Sequence, residues 1–295
     1  MKVRAPLLVV ASICSVQVGS AIARHLFDDL GAAGVTLLRL ALSAIILGLL
    51  TRPRLRTWSR RAWWAAIVLG VVMSGMNLIF YLSLRTVPLG TAVTVEFLGP
   101  LLLALAQTRR LIDILWAVLA GTGVALLGLH SGASAPLGGM LLAFIAGLCW
   151  AGYIVCSARL GGLVPGTGGL TVSLAVASVI VLPFGVHGAS AVVHRPILLP
   201  AVAGVALLSS VISYGLEINA LRRIPTRVFG ILMSLEPAAA AVAGLLLLGQ
   251  RLPMVGVIAL VLVTLASAGV TLARRERDVT PARELSDAVP GNRSL

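Results

Sequence analysis

Ten apolar runs, each close to the 20 or so residues that a helix needs to cross a bilayer, follow one another along the chain. Hydrophobic residues make up 59% of the sequence and charged residues 11%, so a soluble fold would expose far too much apolar surface. The sequence therefore predicts an all-α membrane protein with ten transmembrane helices, near residues 5–23, 32–51, 62–84, 90–107, 112–130, 137–160, 168–187, 197–221, 228–248 and 253–273.

An internal repeat constrains how these helices are arranged. The stretch from Asn77 to Pro100 returns in altered form 137 residues later, where three fixed points, Arg85, Pro88 and Pro100, recur as Arg222, Pro225 and Pro237. Near the N-terminus the offset is 135, and Cys14, Ala23, Arg24, Gly34 and Thr36 recur as Cys149, Ala158, Arg159, Gly169 and Thr171. Because five helices per repeat is an odd number, the second copy must enter the membrane from the opposite side, which gives two inverted five-helix repeats.

The predicted organisation has four parts. The first five-helix repeat covers residues 1–130, a linker covers 131–136, and the second repeat covers 137–273. Residues 274–295 form a charged tail without apolar periodicity, which is typical of disorder. The first apolar run ends in Ala21-Ile22-Ala23, which resembles a signal-peptidase site. Because the run is repeated in the second half, we expect it to be the first transmembrane helix rather than a cleaved signal peptide.

The distribution of Lys and Arg predicts the orientation. Eighteen of them fall in alternate gaps and the two ends, four fall in the other gaps, and Arg39 lies inside a span. By the positive-inside rule, both termini are expected in the cytoplasm.

Several function classes are disfavoured by composition. The net charge of +13 is spread over loops rather than gathered on a basic helix, so no nucleic acid is expected as a partner. The three cysteines lack metal-ligand spacing, and no metal or cofactor is expected. The four histidines lie at span ends or in loops, which disfavours a membrane-embedded enzyme. The expected partners are membrane lipid and a small-molecule substrate; a homodimer is an alternative that the sequence leaves open.

Polar side chains inside the spans are costly, and they are therefore the candidate functional residues. Arg39 lies on one stripe with Thr36 and Ser43. Two further stripes, Ser74–Asn77–Tyr81 and Ser210–Ser213–Glu217, are interpreted as polar faces that point to the bundle interior or to a cavity. Hydrogen bonds between helices would also explain the serines and Asn77, but they explain Glu217 less well. Each of two more carboxylates, Glu96 and Glu236, precedes a proline that removes a backbone donor and favours a bend. A structural role, in which Arg39 ties helices together, stays open.

At these residues the chain resembles the EamA-type drug/metabolite transporters, and within them the bacterial inner-membrane threonine/homoserine exporters. The resemblance implies a location in the inner (cytoplasmic) membrane. The matching segments are ASICSVQVGSAIARHLF, GVTLLRLAL, GMNLIFYLSLRTVPLGTAVTVEFLGP, CWAGYIVCSAR and IPTRVFGILMSLEPAAAAVAG. The resemblance implies a central cavity and export of small amino acids driven by proton antiport. It places these residues at family positions: Gln17, Arg39, Asn77, Tyr81, Glu96, Glu217 and Glu236. One departure is Gln250, where members often carry an acid, which puts the role of that acid in transport or helix capping in doubt.

Two roles are predicted for these residues. Substrate binding is expected at Gln17, Arg39, Asn77, Tyr81 and Glu217. The Arg39 guanidinium is expected to bind the substrate carboxylate or to hold a glutamate ready for exchange. Proton coupling is expected at Glu96, Glu217 and Glu236, because desolvation disfavours an ionised carboxylate in an apolar cavity. Other metabolites or drugs of the same superfamily are the alternative substrates, and a passive channel is the alternative class of protein.

Overall fold

The computed structural model describes residues 5–106, 111–130, 137–164, 166–221, 223–224 and 226–273. Within these ranges the chain is all-helical, without strands. The predicted linker 131–136, the predicted tail 274–295 and two repeat markers, Arg222 and Pro225, lie outside the described residues.

The helices of the first half follow the apolar runs. They are α1 Ala5–His25, α2 Phe27–Thr51, α3 Arg60–Ser83, α4 Leu89–Glu96, α5 Leu98–Ala106 and α6 Leu111–His130. A short 3₁₀ helix, Leu55–Thr57, precedes α3. The Ser59 hydroxyl accepts a hydrogen bond from the Ala62 N–H at 3.2 Å and so caps the start of α3.

The second half has the same general sequence of helices with more interruptions. Its helices are α7 Leu137–Gly161, α8 Gly168–Ala189, α9 Ala191–His194, α10 Leu199–Ala206, α11 Ser213–Leu221, α12 Thr226–Met233, α13 Glu236–Leu248 and α14 Met254–Ala273. A 3₁₀ turn, Pro196–Leu198, leads into α10, and one π-helical turn, Leu207–Ile212, joins α10 to α11.

Seven helical segments in the described part of the chain are long and apolar enough to cross a membrane: Pro6–His25, Phe27–Thr51, Arg60–Ser83, Leu89–Ala106, Leu137–Gly161, Gly168–His194 and Pro196–Glu217. Three shorter apolar helices, Ile114–Gly123, Glu236–Leu248 and Met254–Gly269, fall where the other three spans are predicted. The protein is therefore a multi-pass membrane protein, and the count of ten spans stays a prediction.

Helix α2 begins earlier than the sequence indicates, at residue 27 rather than 32. The cause is a break at Gly31, whose φ of 66° and ψ of 159° lie outside the helical region and in a region that is essentially confined to glycine. The helix therefore changes direction at Gly31, and the straight part that carries Arg39 starts at the predicted position.

The two runs that contain the repeated prolines are each divided into two helices. Pro100 cannot donate to the Glu96 carbonyl four residues earlier, and α4 ends at Glu96 with a turn at Phe97. Pro237 likewise leaves the Met233 carbonyl without its helical donor, and α12 ends at Met233. The predicted bends are thus present, and in each half a glutamate sits at the break.

The contact between α2 and α8 is built from small residues. A Cβ on Gly188 would collide with the Leu30 carbonyl oxygen, and a Cβ on Gly185 would meet the Ala33 carbonyl oxygen at 2.5 Å. A glycine also allows α7 to approach α4–α5 closely, because a Cβ on Gly147 would collide with the Glu96 carbonyl oxygen. Small residues allow this close backbone approach between helices, which is a main source of packing energy where lipid replaces water.

The described helices pack so that α2 and α8 lie side by side, flanked by α3 and α7, while α1 packs on α11 and α13. Helix α14 lies along α6, and α4 contacts both α7 and α13. These contacts bring α1, α2, α3, α4, α13 and the π-helical turn around one buried region, where most of the intramembrane polar side chains are found.

Candidate functional site

Arg39 lies at the middle of α2 and is buried, with 7% of its surface exposed. Its Nη1 donates to the Tyr81 hydroxyl of α3 at 2.9 Å, and its Nη2 donates to the Ser209 carbonyl oxygen at 3.1 Å. Its Nε donates to the Ser210 hydroxyl at 3.4 Å. All three hydrogen-bond partners are neutral, so Arg39 links α2 to α3 and to the π-helical turn without forming a close ion pair within the described residues.

Tyr81 orients the guanidinium in two ways. Its hydroxyl accepts the hydrogen bond from Nη1, and its ring centroid lies 5.4 Å from the Arg39 Cζ, within cation–π range. The ring is fully buried and packs at 5.6 Å from that of Phe27. Tyr81 is thus packed on all sides and contacts Arg39 through both its hydroxyl and its ring.

The π-helical turn Leu207–Ile212 supplies main-chain acceptors to this region. A π-helical turn shifts the hydrogen-bond register, so carbonyl groups around it need other donors. Side chains of α1 and α2 provide them at four carbonyl oxygens: Ser43 to Ala206 at 3.3 Å, Ser15 to Leu208 at 2.7 Å, Arg39 to Ser209 and Ser12 to Ser213 at 3.2 Å. The side-chain donors of one half of the chain therefore satisfy the backbone of the other half.

Glu236 and Gln17 face each other between α13 and α1. The Gln17 amide donates from Nε2 to Glu236 Oε1 at 3.3 Å, and both side chains are buried. Three buried oxygens nearby in this group of helices, Gln17 Oε1, Glu236 Oε2 and Ser209 Oγ, have no hydrogen-bond partner among the described residues. Leaving a buried polar atom without a partner costs about 1–3 kcal/mol, so these atoms are the ones that a bound group would satisfy.

Glu96 completes what we call the polar centre: Gln17, Arg39, Tyr81, Glu96, Ser209, Ser210 and Glu236. Its side chain is 8% exposed and interacts electrostatically with Glu236 and Arg39. The polar centre therefore combines one permanent cation with two carboxylates, and the two interrupted helices α4 and α12–α13 each contribute one carboxylate.

Glu217 occupies a neighbouring position on α11. Ser12 donates to Glu217 Oε1 at 2.8 Å, and Glu217 interacts electrostatically with Glu236 and with two tyrosines, Tyr153 and Tyr214, whose ring centroids lie 6.5 Å apart. Because Tyr214 also interacts with Arg39, this second group of residues continues the polar centre toward α7.

The Ser74–Asn77–Tyr81 stripe is only partly used for contacts between helices. Asn77 donates from Nδ2 to the Met73 carbonyl oxygen at 2.8 Å, and Ser74 donates to the Val71 carbonyl oxygen at 2.7 Å, both within α3. Both side chains are buried. Tyr81 alone of the three hydrogen-bonds Arg39, so the structure brings Tyr81, Arg39, Gln17 and the glutamates together and leaves Asn77 beside them on the same helix face.

Sequence reasoning did not single out four contributors to this region, Ser12, Ser209, Tyr153 and Tyr214. Serines and tyrosines are common enough in membrane helices to pass unnoticed, and the π-helical turn has no compositional signature. The Ser209-Ser210 pair inside an apolar run was the available signal, because two adjacent hydroxyl groups cannot both face one helix stripe.

Gln250 lies outside the polar centre and caps a helix. Its Oε1 accepts a hydrogen bond from the Leu89 N–H at 2.9 Å, at the start of α4, where Pro88 offers no side-chain acceptor. Gly249 precedes it with a φ of 63° and ends α13 in a left-handed turn. An amide oxygen thus performs the capping that a carboxylate would perform, so the departure at this position leaves the capping contact intact.

The cysteines Cys14, Cys149 and Cys156 are free thiols. In the part of the chain that the structure describes, no group of three or more His, Cys, Asp and Glu side chains has a metal-binding arrangement.

Comparisons with known proteins place the chain in a family. The model of the EamA-like transporter family matches residues 137–272. The threonine/homoserine exporter RhtA of Salmonella typhimurium LT2 is 41% identical over 276 residues, which cover 92% of this chain and 93% of the relative. The chain belongs to the EamA-like transporter family. RhtA of Escherichia coli K12 is also 41% identical, over 91% of this chain and 92% of that protein.

One crystal structure shares the fold, with a TM-score of 0.59 over 92% of this chain and 98% of the other, at 17% identity. The family assignment confirms the resemblance that the sequence motifs indicated, and it confirms that the relatives of this EamA-type chain are transporters rather than enzymes.

The Gln250 contact gives a prediction about stability. Gln250→Ala removes the acceptor of the Leu89 N–H, and loss of a helix cap costs about 1 kcal/mol. We expect a lower apparent Tm of the detergent-solubilised protein, whereas Gln250→Glu, which keeps an acceptor oxygen, should stay close to the original. Equal melting of the Ala and Glu variants would show that the contact does not cap α4.

Proposed function

We propose that the protein is a secondary active transporter that exports small amino acids of the threonine and homoserine type across the cytoplasmic membrane. The observation that carries this proposal is the composition of the polar centre, which offers a buried guanidinium on one side and unpartnered acceptor oxygens on the other. The 41% identity to threonine/homoserine exporters over nine-tenths of both chains supports the substrate class.

The carboxylate of the substrate is assigned to Arg39. A guanidinium has five N–H donors, and the three hydrogen bonds of Arg39 leave two of them for a ligand. Since the partners are neutral, the charge of Arg39 is not cancelled by a close ion pair. An anionic group that enters the polar centre would therefore gain both charge and bidentate geometry.

The ammonium of the substrate is assigned to Gln17 and Glu236. Gln17 Oε1 and Glu236 Oε2 are buried acceptors without hydrogen-bond partners among the described residues, and an ammonium brings three donors. A zwitterion would thus satisfy both ends of the polar centre at once. Tyr81 positions Arg39, and we assign Asn77 and Glu217 to the walls of the same site on the basis of their neighbouring positions.

We further propose the finer architecture of ten transmembrane helices in two inverted repeats, 1–130 and 137–273, with both termini in the cytoplasm. The packing pattern supports a two-fold relation: the α3–α7 contact has a counterpart in α1–α11, and α4–α7 has one in α1–α13. Three other contacts, α2–α8, α4–α13 and α6–α14, pair corresponding segments of the two halves. The family model begins at residue 137, which fits the boundary of the second repeat.

Proton antiport is assigned to the buried carboxylates, with Glu236 and Glu96 as first candidates and Glu217 beside them. A proton and the substrate ammonium are both attracted to an ionised Glu236, and only one of them can occupy its free oxygen. Binding of one therefore excludes the other, which is the requirement for exchange of a proton against an amino acid.

A different small metabolite or drug would use the same site with different contacts, and a transport assay over a panel of solutes distinguishes these substrates.

Arg39 gives the first test of this function. Purified protein in proteoliposomes should catalyse counterflow of labelled threonine or homoserine. Arg39→Lys should reduce that rate at least about tenfold, because an ammonium cannot copy the planar, bidentate contact. The control is Arg195→Lys, in an exposed ion pair with Asp29 that contributes about 0–1 kcal/mol. Normal counterflow in Arg39→Lys, or counterflow of every tested solute at one rate, would contradict the proposal.

Glu236 gives the test of coupling. Glu236→Gln keeps the shape of the side chain and one acceptor oxygen but removes the titrating group. We expect export driven by an imposed pH gradient to be lost, while counterflow at equal pH persists with weaker affinity. Asp28→Asn, which removes an exposed acid outside the polar centre, should change neither measurement. If the Gln variants of Glu96, Glu217 and Glu236 all respond normally to the pH gradient, these carboxylates do not couple transport to protons.

A further inference from the structure

A groove of about 760 Å³ lies away from the polar centre, between the end of α2 and the first half of α8. Gly48 of α2 forms part of its lining, and α8 contributes a continuous apolar wall from Val172 to Ile180. Two residues of that wall, Ala175 and Val179, are exposed, with 67% of Val179 accessible, so the groove opens sideways toward the surroundings of the helices. In a multi-pass membrane protein those surroundings are lipid.

The length of the groove matches one leaflet. Thr171 and Ile180, at its two ends on α8, are nine residues apart, which corresponds to about 14 Å along a helix axis. Half of a bilayer hydrocarbon core is about 15 Å thick. The groove is therefore about as long as one acyl chain extends into a leaflet, and its wall on α8 is apolar, as an acyl-chain site requires.

The end of the groove at the loop after α2 is cationic. Arg52 lines it, and four more arginines, Arg54, Arg56, Arg60 and Arg61, follow within the same loop and the start of α3. The sequence has no acidic residue between Asp29 and Glu96, so no acid in the same stretch of chain offsets these charges. Arg52 itself ends α2 with a φ of 41°, and its N–H donates to the Gly48 carbonyl oxygen at 2.9 Å.

Three tryptophans near the groove indicate the depth of the lipid headgroups, independently of the arginine charges. Trp63 lines the groove next to Arg52, and Trp58 packs against Trp63 with ring centroids 5.4 Å apart. Trp64 is 57% exposed on the following position of α3. Tryptophan is enriched where acyl chains meet headgroups, so Arg52 lies at the depth of lipid phosphate.

We propose that this groove binds one anionic phospholipid, with an acyl chain along α8 and its phosphate on Arg52. The cationic end selects the headgroup, the apolar wall holds the chain, and the match to one leaflet excludes an occupant that spans the bilayer. The bound lipid lies beside Gly48, between α2 and α8, and it thereby covers this end of the α2–α8 contact.

The test uses native mass spectrometry of the intact protein released from detergent, with phosphatidylglycerol and phosphatidylcholine of identical acyl chains as probes. We expect phosphatidylglycerol to be retained about fivefold better, as expected for one arginine at an anionic headgroup. Arg52→Asn should abolish that preference. Asparagine tolerates the left-handed backbone of this position, so the variant removes charge without new strain.

Two matched variants separate the parts of the site. Arg56→Asn removes an exposed arginine of the same loop that does not line the groove, and it should keep the preference. Ala175→Phe fills the apolar wall from an exposed position and should reduce retention of both lipids. Because both arginines and Ala175 are exposed, these variants should remain folded, which size-exclusion chromatography verifies.

Five results would overturn the proposal. Four of them are equal retention of the two lipids by the unmodified protein, an equal loss in Arg52→Asn and Arg56→Asn, unchanged retention in Ala175→Phe, and displacement of the lipid by inorganic phosphate alone. The fifth is displacement by threonine, which would identify the groove as a side entrance for substrate and exclude a lipid site. None of these measurements depends on transport, so they stand apart from the proposed function.

Discussion

Backbone carbonyl groups that lose their helical donors inside the membrane must find other partners, because no bulk water is present to satisfy them. This chain creates such carbonyls at the π-helical turn Leu207–Ile212 and before two prolines, Pro100 and Pro237. Three serines and Arg39 donate to four carbonyl oxygens in and next to the turn. At Gly147, α7 packs closely against the Glu96 carbonyl oxygen. Arg39, the cation of the polar centre, is one of the four side chains that donate there.

Arg39 shows how structure and function share one side chain. Its hydrogen bonds to Tyr81, Ser209 and Ser210 join α2 to α3 and to the π-helical turn, which is the structural role that the sequence left open. On the proposed function, the same guanidinium receives the substrate carboxylate through its two remaining donors. The substrate and the π-helical turn would then both bind the Arg39 guanidinium, so substrate binding is linked to the contact between the two halves of the chain. A ligand shifts a conformational equilibrium only through such differential contacts.

The sequence was informative about the helices and the charged centre because both leave strong local signals. Apolar runs marked the spans, prolines marked two of the breaks, and isolated charges such as Arg39 and Glu236 stood out against an apolar background. The π-helical turn could not be foreseen, since its register shift depends on packing against α1 and α2 rather than on local composition. For the same reason the unpartnered oxygens of Gln17, Glu236 and Ser209 became visible only once their neighbours were placed.

Ser209 offers the most direct test of the central claim that the polar centre is the substrate site. Ser209→Cys, in a chain whose three native cysteines are replaced by alanine, puts one thiol in the polar centre, where the Ser209 side chain lies against Gly19 of α1, with little change in volume. The account predicts that a small charged thiosulfonate labels this cysteine in the reconstituted transporter and that saturating threonine slows the labelling severalfold, while succinate does not. Labelling at the same rate with and without threonine, in protein that still transports threonine, would contradict the account.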